Sequence, residues 1–234
     1  GSDAFSMRTT AKKAEGCYVL NGTKTLITNA AVADIVIAFA KTQQAHGKNK
    51  VSCFILERGT AGFLTSKKID KMGLRTSPFG EIVLQDCIVP LKNIIGNEGS
   101  GQTIFNNSMA EERAFILATQ IGAMERQLEE CLAYAKARKQ FQKRIFDFQA
   151  VSGMLAEMKV RLETSRLMVY NVAWLRQQKK RAFLESSIAK LYVSECCIKN
   201  ALSAVRIHGG YGYTTEYEME RQLRDSIGGV LYSG

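Results

Sequence analysis

No stretch of the 234 residues approaches the roughly 18 consecutive apolar residues that a membrane span requires. No Cys-x-x-Cys pair is present. The only histidines, His46 and His208, lie far apart, so neither zinc nor a His-based metal site is implied. The opening GSDAFSMRTT has no basic segment leading into an apolar core, which argues against a secretory signal. The chain is therefore expected to be cytoplasmic, with Cys17, Cys53, Cys87, Cys131, Cys196 and Cys197 as buried free thiols. It shows neither an internal repeat nor a low-complexity linker.

Acidic residues are in deficit, 22 against 32 Lys and Arg, for a formal charge of +10. Such an excess concentrates polyanions, whether nucleic acid, an anionic cofactor or an acidic protein. Much of it falls in the runs 136–144 and 177–181, where helical spacing would spread it over solvated faces. No aromatic-interleaved motif accompanies it, so nucleic acid is not expected as a partner.

The first ~95 residues carry CYVLNGTKTLI, ADIVIAFAKT, KVSCFILERG and EIVLQDCIVP, runs rich in Val, Ile and aromatics separated by turn residues. No helical segments alternate with them, which favours a small antiparallel barrel or sandwich over a parallel dinucleotide-binding sheet. After Asn97–Gly101 the apolar period changes to about 3.6. Three long helices are expected, near 102–136, 148–178 and 182–208, with a short one from about Glu216. The expected class is α+β: a β-barrel domain over 1–97, then an antiparallel four-helix bundle over 98–234.

Several strings carry a more specific signal: GSD, NGTKTLITNA, KMGLRTSP, VPLKNIIGNEGSG, YAKARKQFQKRIFDFQ and IHGGYGYTTEYEMERQLRD. In this order and spacing they resemble the acyl-CoA dehydrogenase family across nearly the whole chain. The resemblance implies FAD, desaturation of an acyl thioester between its α and β carbons, and a homotetramer. It also implies an N-terminal helical domain of about 120 residues, of ordinary domain size, upstream of Gly1.

Carried over residue by residue, the resemblance places Ser2 in a loop against flavin and thioester. Thr28 falls beside the isoalloxazine, where a hydroxyl and an N–H can bond the ring. Leu26 stands where the family usually has a Trp packed on the flavin, a departure that bears on how electrons leave. Arg138, Gln140 and Phe141 match a signature whose Arg reaches the FAD diphosphate of a neighbouring subunit; a guanidinium fork suits that group. Gln142 replaces a common Gly. Gly209 and Gly210 match a loop against the adenosine of the partner's FAD, and Arg206 stands where Gln is usual.

Removing a proton α to a thioester requires a carboxylate in a water-poor setting. Many family members carry it in a C-terminal Tyr-Glu-Gly, but here the tripeptide is Tyr232-Ser233-Gly234. Other members place it on the first long helix in a Glu-Arg pair, matched here by Glu112-Arg113. Helical spacing alone does not separate Glu112 from Glu111; alignment of the pair selects Glu112. The backbone N–H of Ser233 remains as a donor to the thioester oxygen, together with a flavin ribityl hydroxyl in the family. Arg113 and Tyr232 are expected to support the substrate region.

The resemblance extends to members that act on prolyl or other aminoacyl groups held on a peptidyl carrier protein. Short or branched acyl-CoA is the alternative substrate, and a non-catalytic thioester or carrier-protein binder is the alternative of another class. An electron-transfer flavoprotein or dioxygen is the expected acceptor.

Overall fold

The computed structural model describes residues 3–43 and 49–233. Ser2, His46 and Gly234 lie outside them. The chain groups into two compact units: Gly1–Lys71 with Arg75–Ser108, and Met72–Leu74 with Met109–Gly234.

The first unit is a seven-stranded sheet built from β1 (Thr10–Ala14), β2 (Cys17–Thr28), β3 (Ile35–Gln43), β4 (Asn49–Glu57), β5 (Phe63–Thr65), β6 (Phe79–Pro90) and β7 (Ile94–Ile95). The strand order is β5-β6-β2-β1-β3-β4-β7. Alternation along β2 and β6 sends Tyr18, Leu20, Ile82, Leu84, Cys87 and Val89 inward, where they join Ala38, Phe54 and Leu56 in one core. Fully burying an aromatic or leucine side chain of this kind contributes about 1.5–3 kcal/mol. The expected antiparallel pairing has one exception, because β1 runs parallel to β3 through Thr10↔Lys41 and Ala11↔Thr42. Four of the five β1 residues are exposed, so the strand lacks the apolar alternation that marked the others.

The link after β7 is docked rather than loose. Gly99 donates its N–H to Ser52 Oγ at 2.8 Å, and a Cβ on Gly101 would sit 2.8 Å from the Val51 carbonyl oxygen. Tyr18 donates its hydroxyl to Glu98 Oε2 at 2.6 Å. Burial, reinforced by that carboxylate, pushes the Tyr18 phenol up to about 12.

The helices are α1 (Gly101–Phe115), α2 (Ala118–Ala137), α3 (Gln149–Gln177), α4 (Phe183–His208) and α5 (Met219–Ile227). Leu117, Met124, Leu128, Met158, Leu162, Val193 and Ala204 form the centre of the second unit's core. The single first helix expected from the sequence is two: Ile116 N still bonds Glu112 O, but Leu117 N turns to Ala114 O, a tightened turn that ends α1. The basic run 136–144 also departs from a helix. It leaves α2 at Ala137 and forms a hairpin of β8 (Lys139–Gln140) and β9 (Lys143–Arg144). Phe141 and Gln142 both lie at positive φ, 50° and 61°, the mirror-image turn that two-residue hairpins favour.

Two of the sequence strings meet in this unit. Leu74 N donates to Asp225 Oδ1 at 2.6 Å, and Arg224 donates to the Met72 carbonyl at 2.8 Å. Gly73 lies so close that a Cβ there would be 2.3 Å from the Arg224 carbonyl oxygen. Five of the six cysteines are buried as expected, but Cys17 is only half-buried. Among the described residues, no helix is long and apolar enough to cross a membrane.

Candidate active site

On the sheet unit, β2 slips register against β6 between Lys24 and Ile27. This bulge carries Leu26, which takes a left-handed conformation at φ 58° and is 59% exposed. Thr28 closes the strand opposite Phe79 and is exposed. A bulge re-aims side chains out of the sheet, so Leu26 presents an apolar surface and Thr28 a hydroxyl. Ser2, which the sequence resemblance adds to this group, lies outside the described residues.

The helical unit brings a second set together. Arg138, Gln140, Gly209 and Gly210 line one cavity of about 450 Å³ with Tyr134, Ile145, Ile207, His208, Tyr211 and Thr214. The Arg138 guanidinium lies 5.6 Å from the Tyr211 ring centroid, and no carboxylate among the described residues forms a salt bridge with it. Gly209, at φ 60° and ψ −135°, caps α4 in a conformation that needs glycine. A Cβ on Gly209 or Gly210 would meet nothing within 4 Å, so their backbone faces open space. His208 stacks on Tyr134 at 4.2 Å and is fixed through Nδ1 to the Ala204 carbonyl at 2.9 Å. A cation without a counter-ion, an aromatic floor and accessible glycine backbone suit the phosphate and base of a nucleotide. Phe141, 88% exposed, and Arg206, an exposed residue on the last turn of α4, do not line this cavity. Tyr134, Tyr211 and Thr214 lie inside the matched strings, but the sequence reading gave them no role.

The third set lies where α1 meets the C-terminal turn. Ser233 Oγ donates to Glu112 Oε1 at 2.5 Å, and Arg113 Nε donates to the Ser233 carbonyl at 3.0 Å. Both members of the Glu-Arg pair therefore grip the same residue, itself held at φ 59°. Glu111 points elsewhere and pairs with Arg176 of α3. Of the two glutamates that helical spacing left open, Glu112 is the one bonded to residue 233. Glu112 is exposed in this chain.

Two residues that the sequence reading did not single out hold the same turn. Gln120 of α2 donates to the Tyr232 hydroxyl at 2.9 Å. Lys190 of α4 donates to the Gly229 carbonyl at 2.9 Å. Tyr232 is partly buried, and desolvation moves its phenol up against the opposing pull of the Gln120 hydrogen bond.

Comparison with known proteins agrees with this arrangement. The acyl-CoA dehydrogenase C-terminal domain matches residues 99–234, and the acyl-CoA dehydrogenase middle domain matches residues 1–87. The chain belongs to the acyl-CoA dehydrogenase family. It is similar to the crystal structure of the prolyl acyl carrier protein oxidase AnaB, with 46% identity and a TM-score of 0.96 over all of this chain and 62% of that one. It is similar to PigA solved with FAD and proline, at 40% identity and a TM-score of 0.95, covering all of this chain and 61% of PigA. It is also 40% identical to the short-chain specific acyl-CoA dehydrogenase of Megasphaera elsdenii, over all of this chain and 61% of that protein. The chain thus spans about three fifths of the length of these relatives.

Proposed function

We propose that the protein containing this chain is an FAD-dependent dehydrogenase of acyl thioesters, with a prolyl or other aminoacyl group on a carrier protein as substrate. One observation carries the reading: the 2.5 Å hydrogen bond from the Ser233 hydroxyl brings the Glu112 carboxylate to residue 233. In this reading Glu112 takes the α proton of the thioester. The Ser233 N–H holds the thioester oxygen, where negative charge grows as that proton leaves. Arg113, engaged with the Ser233 carbonyl, fixes the amide rather than meeting substrate, and Tyr232 frames the same turn.

When bound, FAD supplies the acceptor for the hydride that leaves the β carbon. Leu26 and Thr28 on the sheet unit are the residues assigned to the flavin ring, and the family resemblance assigns Ser2, outside the described residues, to the same group. Arg138, Gln140, Gly209 and Gly210 are assigned to the nucleotide end of an FAD held by another subunit, and Phe141 and Arg206 to its margin. We place the domain boundary at residues 97 and 98, just ahead of the residues 99–234 matched by the C-terminal domain, and infer an oligomer, a tetramer in the family. The carrier-bound substrate is supported by likeness to the prolyl acyl carrier protein oxidase AnaB, and the prolyl group by likeness to PigA solved with proline; the acceptor is an electron-transfer flavoprotein or dioxygen. A short acyl-CoA is the second reading, supported by the Megasphaera elsdenii relative.

The test is anaerobic. The full-length flavoprotein is offered prolyl and other aminoacyl groups on a carrier protein, and a panel of short and branched acyl-CoAs, while loss of the oxidised flavin absorption is followed. Bleaching by the carrier-bound prolyl group alone supports the first reading, and bleaching by acyl-CoA alone supports the second. A colourless protein that still binds these thioesters is a non-catalytic binder and contradicts both.

A further inference from the structure

Lys190 stands in the middle of α4, is 4% exposed, and has no salt bridge to any carboxylate among the described residues. Burying an ammonium without a counter-charge is costly, and the structure must compensate it locally. The compensation comes from the C-terminal turn itself. The Lys190 Nζ donates to the Gly229 carbonyl at 2.9 Å and lies 5.5 Å from the centroid of the Tyr232 ring. Its other charged neighbour is unfavourable: burial first, and the Arg113 guanidinium second, lower the pKa of the Lys190 ammonium. Cys197 faces Tyr232, and Glu195 lines the same cavity as Arg113 and Lys190 without pairing with either.

Three helices each send one polar side chain to the segment 229–233: Arg113 from α1 to the Ser233 carbonyl, Gln120 from α2 to Tyr232, and Lys190 from α4 to Gly229. Packing here is close. A Cβ on Gly229 would fall 1.7 Å from Gln120 Nε2, so any larger residue there would displace the Gln120 side chain from the turn. Of the three anchors Lys190 alone is both buried and charged, and a charged donor makes a stronger hydrogen bond than a neutral amide such as Gln120.

We propose that Lys190 is a positioning residue for the dehydrogenation: by holding the Gly229 carbonyl and the Tyr232 ring, it sets the direction in which the Ser233 N–H points at the thioester oxygen. The inference rests on the reading of that N–H as the oxyanion donor. Lys190 touches neither substrate nor the reacting atoms; it acts through the turn.

The test uses the full-length flavoprotein and a 3-oxobutanoyl thioester, on CoA or on whichever carrier the wild type accepts. The C2 proton of this probe is acidic, so binding at the site produces its enolate, followed by the enolate's own ultraviolet absorption over a range of pH. In Lys190→Met the ionisation constant of the bound probe should fall about tenfold, less than the loss of a whole oxyanion donor. FAD content, melting temperature and the dissociation constant of a saturated thioester should stay near wild type. Lys190→Arg, which keeps charge and donors, should recover ionisation to within about threefold of wild type.

A residue that merely filled space would leave the ionisation constant unchanged in Lys190→Met, and that result overturns the proposal. An equal loss in Lys190→Arg overturns it too. If Lys190→Met does not fold, Lys190→Gln, a neutral donor of shorter reach, should lower the constant roughly threefold, and no change there counts against the proposal. Failure of the wild type itself to promote ionisation would instead defeat the oxyanion reading on which the proposal depends.

Discussion

Ser233 donates its hydroxyl to the Glu112 carboxylate at 2.5 Å across 121 residues of sequence. Position 233 is where the Tyr-Glu-Gly members of the resemblance would carry their base, and Glu112 is where the others carry it. The contact gives a physical reason for the two arrangements, because carboxylates on either backbone position reach the same small volume. With serine at 233, the carboxylate bonded to this position among the described residues is Glu112 of α1.

From this geometry Ser233→Ala should cost little. It removes one hydrogen bond to Glu112 and leaves both the carboxylate and the backbone N–H, so substrate-driven flavin reduction should fall by less than about tenfold. Stopped-flow absorbance measures it, and a loss of a hundredfold would show that the hydroxyl takes part in chemistry. The double substitution Glu112→Ala with Ser233→Glu should regain part of the activity that Glu112→Ala loses.

Arg138→Ala should weaken retention of FAD, because the guanidinium lines the cavity with no carboxylate among the described residues bound to it. Flavin released per subunit on gel filtration reports the effect, and Arg138→Lys should fall between, since an ammonium lacks the two-pronged fork. Flavin held as tightly by Arg138→Ala as by wild type would remove this cavity from the nucleotide site.

Leu26→Trp should fold, since position 26 lies in an exposed bulge, and it should slow reoxidation of the reduced flavin by dioxygen. Mixing photoreduced enzyme with aerated buffer gives the rate. An unchanged rate would mean that Leu26 does not shield the flavin.

Gln142→Gly should raise stability by about 0.5–1 kcal/mol, because a non-glycine side chain at φ 61° is strained and glycine is not. Urea denaturation of the full-length protein measures it. A loss of stability would mean that the Gln142 side chain makes contacts outweighing that strain.

The fold was readable where apolar periodicity was strong. β2, β3, β4 and β6 alternate β-branched and aromatic residues, and α3 and α4 keep a helical period. β1 escaped because Thr-Ala-Lys-Lys-Ala is held by backbone pairing, with only Ala11 buried. The stop of α1 at Phe115 escaped because neither glycine nor proline marks it. Lys139–Arg144 was legible as a break between two helices but not as a hairpin, because it turns through two positive-φ residues that no Gly or Asn announces. In the candidate site, motif register singled out Glu112 and Arg138; the structure bonds the first to Ser233 and sets the second in the cavity beside Gly209. Motif register had already preferred Glu112 to Glu111, and the pairing of Glu111 with Arg176 of α3 was visible only in the structure. Lys190 resembled any lysine on a helix until its partner, the Gly229 carbonyl, was in place.

The central claim, that Glu112 is the base, is tested most directly by Glu112→Gln in the full-length flavoprotein. The substitution keeps shape and can still accept the Ser233 hydroxyl, but it removes basicity. Anaerobic mixing with the substrate identified for the wild type should show FAD bound at wild-type stoichiometry and flavin reduction slowed at least about a hundredfold, the lower end of a general base's contribution. Reduction at close to the wild-type rate would contradict the account and return the search to Glu111 or to a residue beyond this chain.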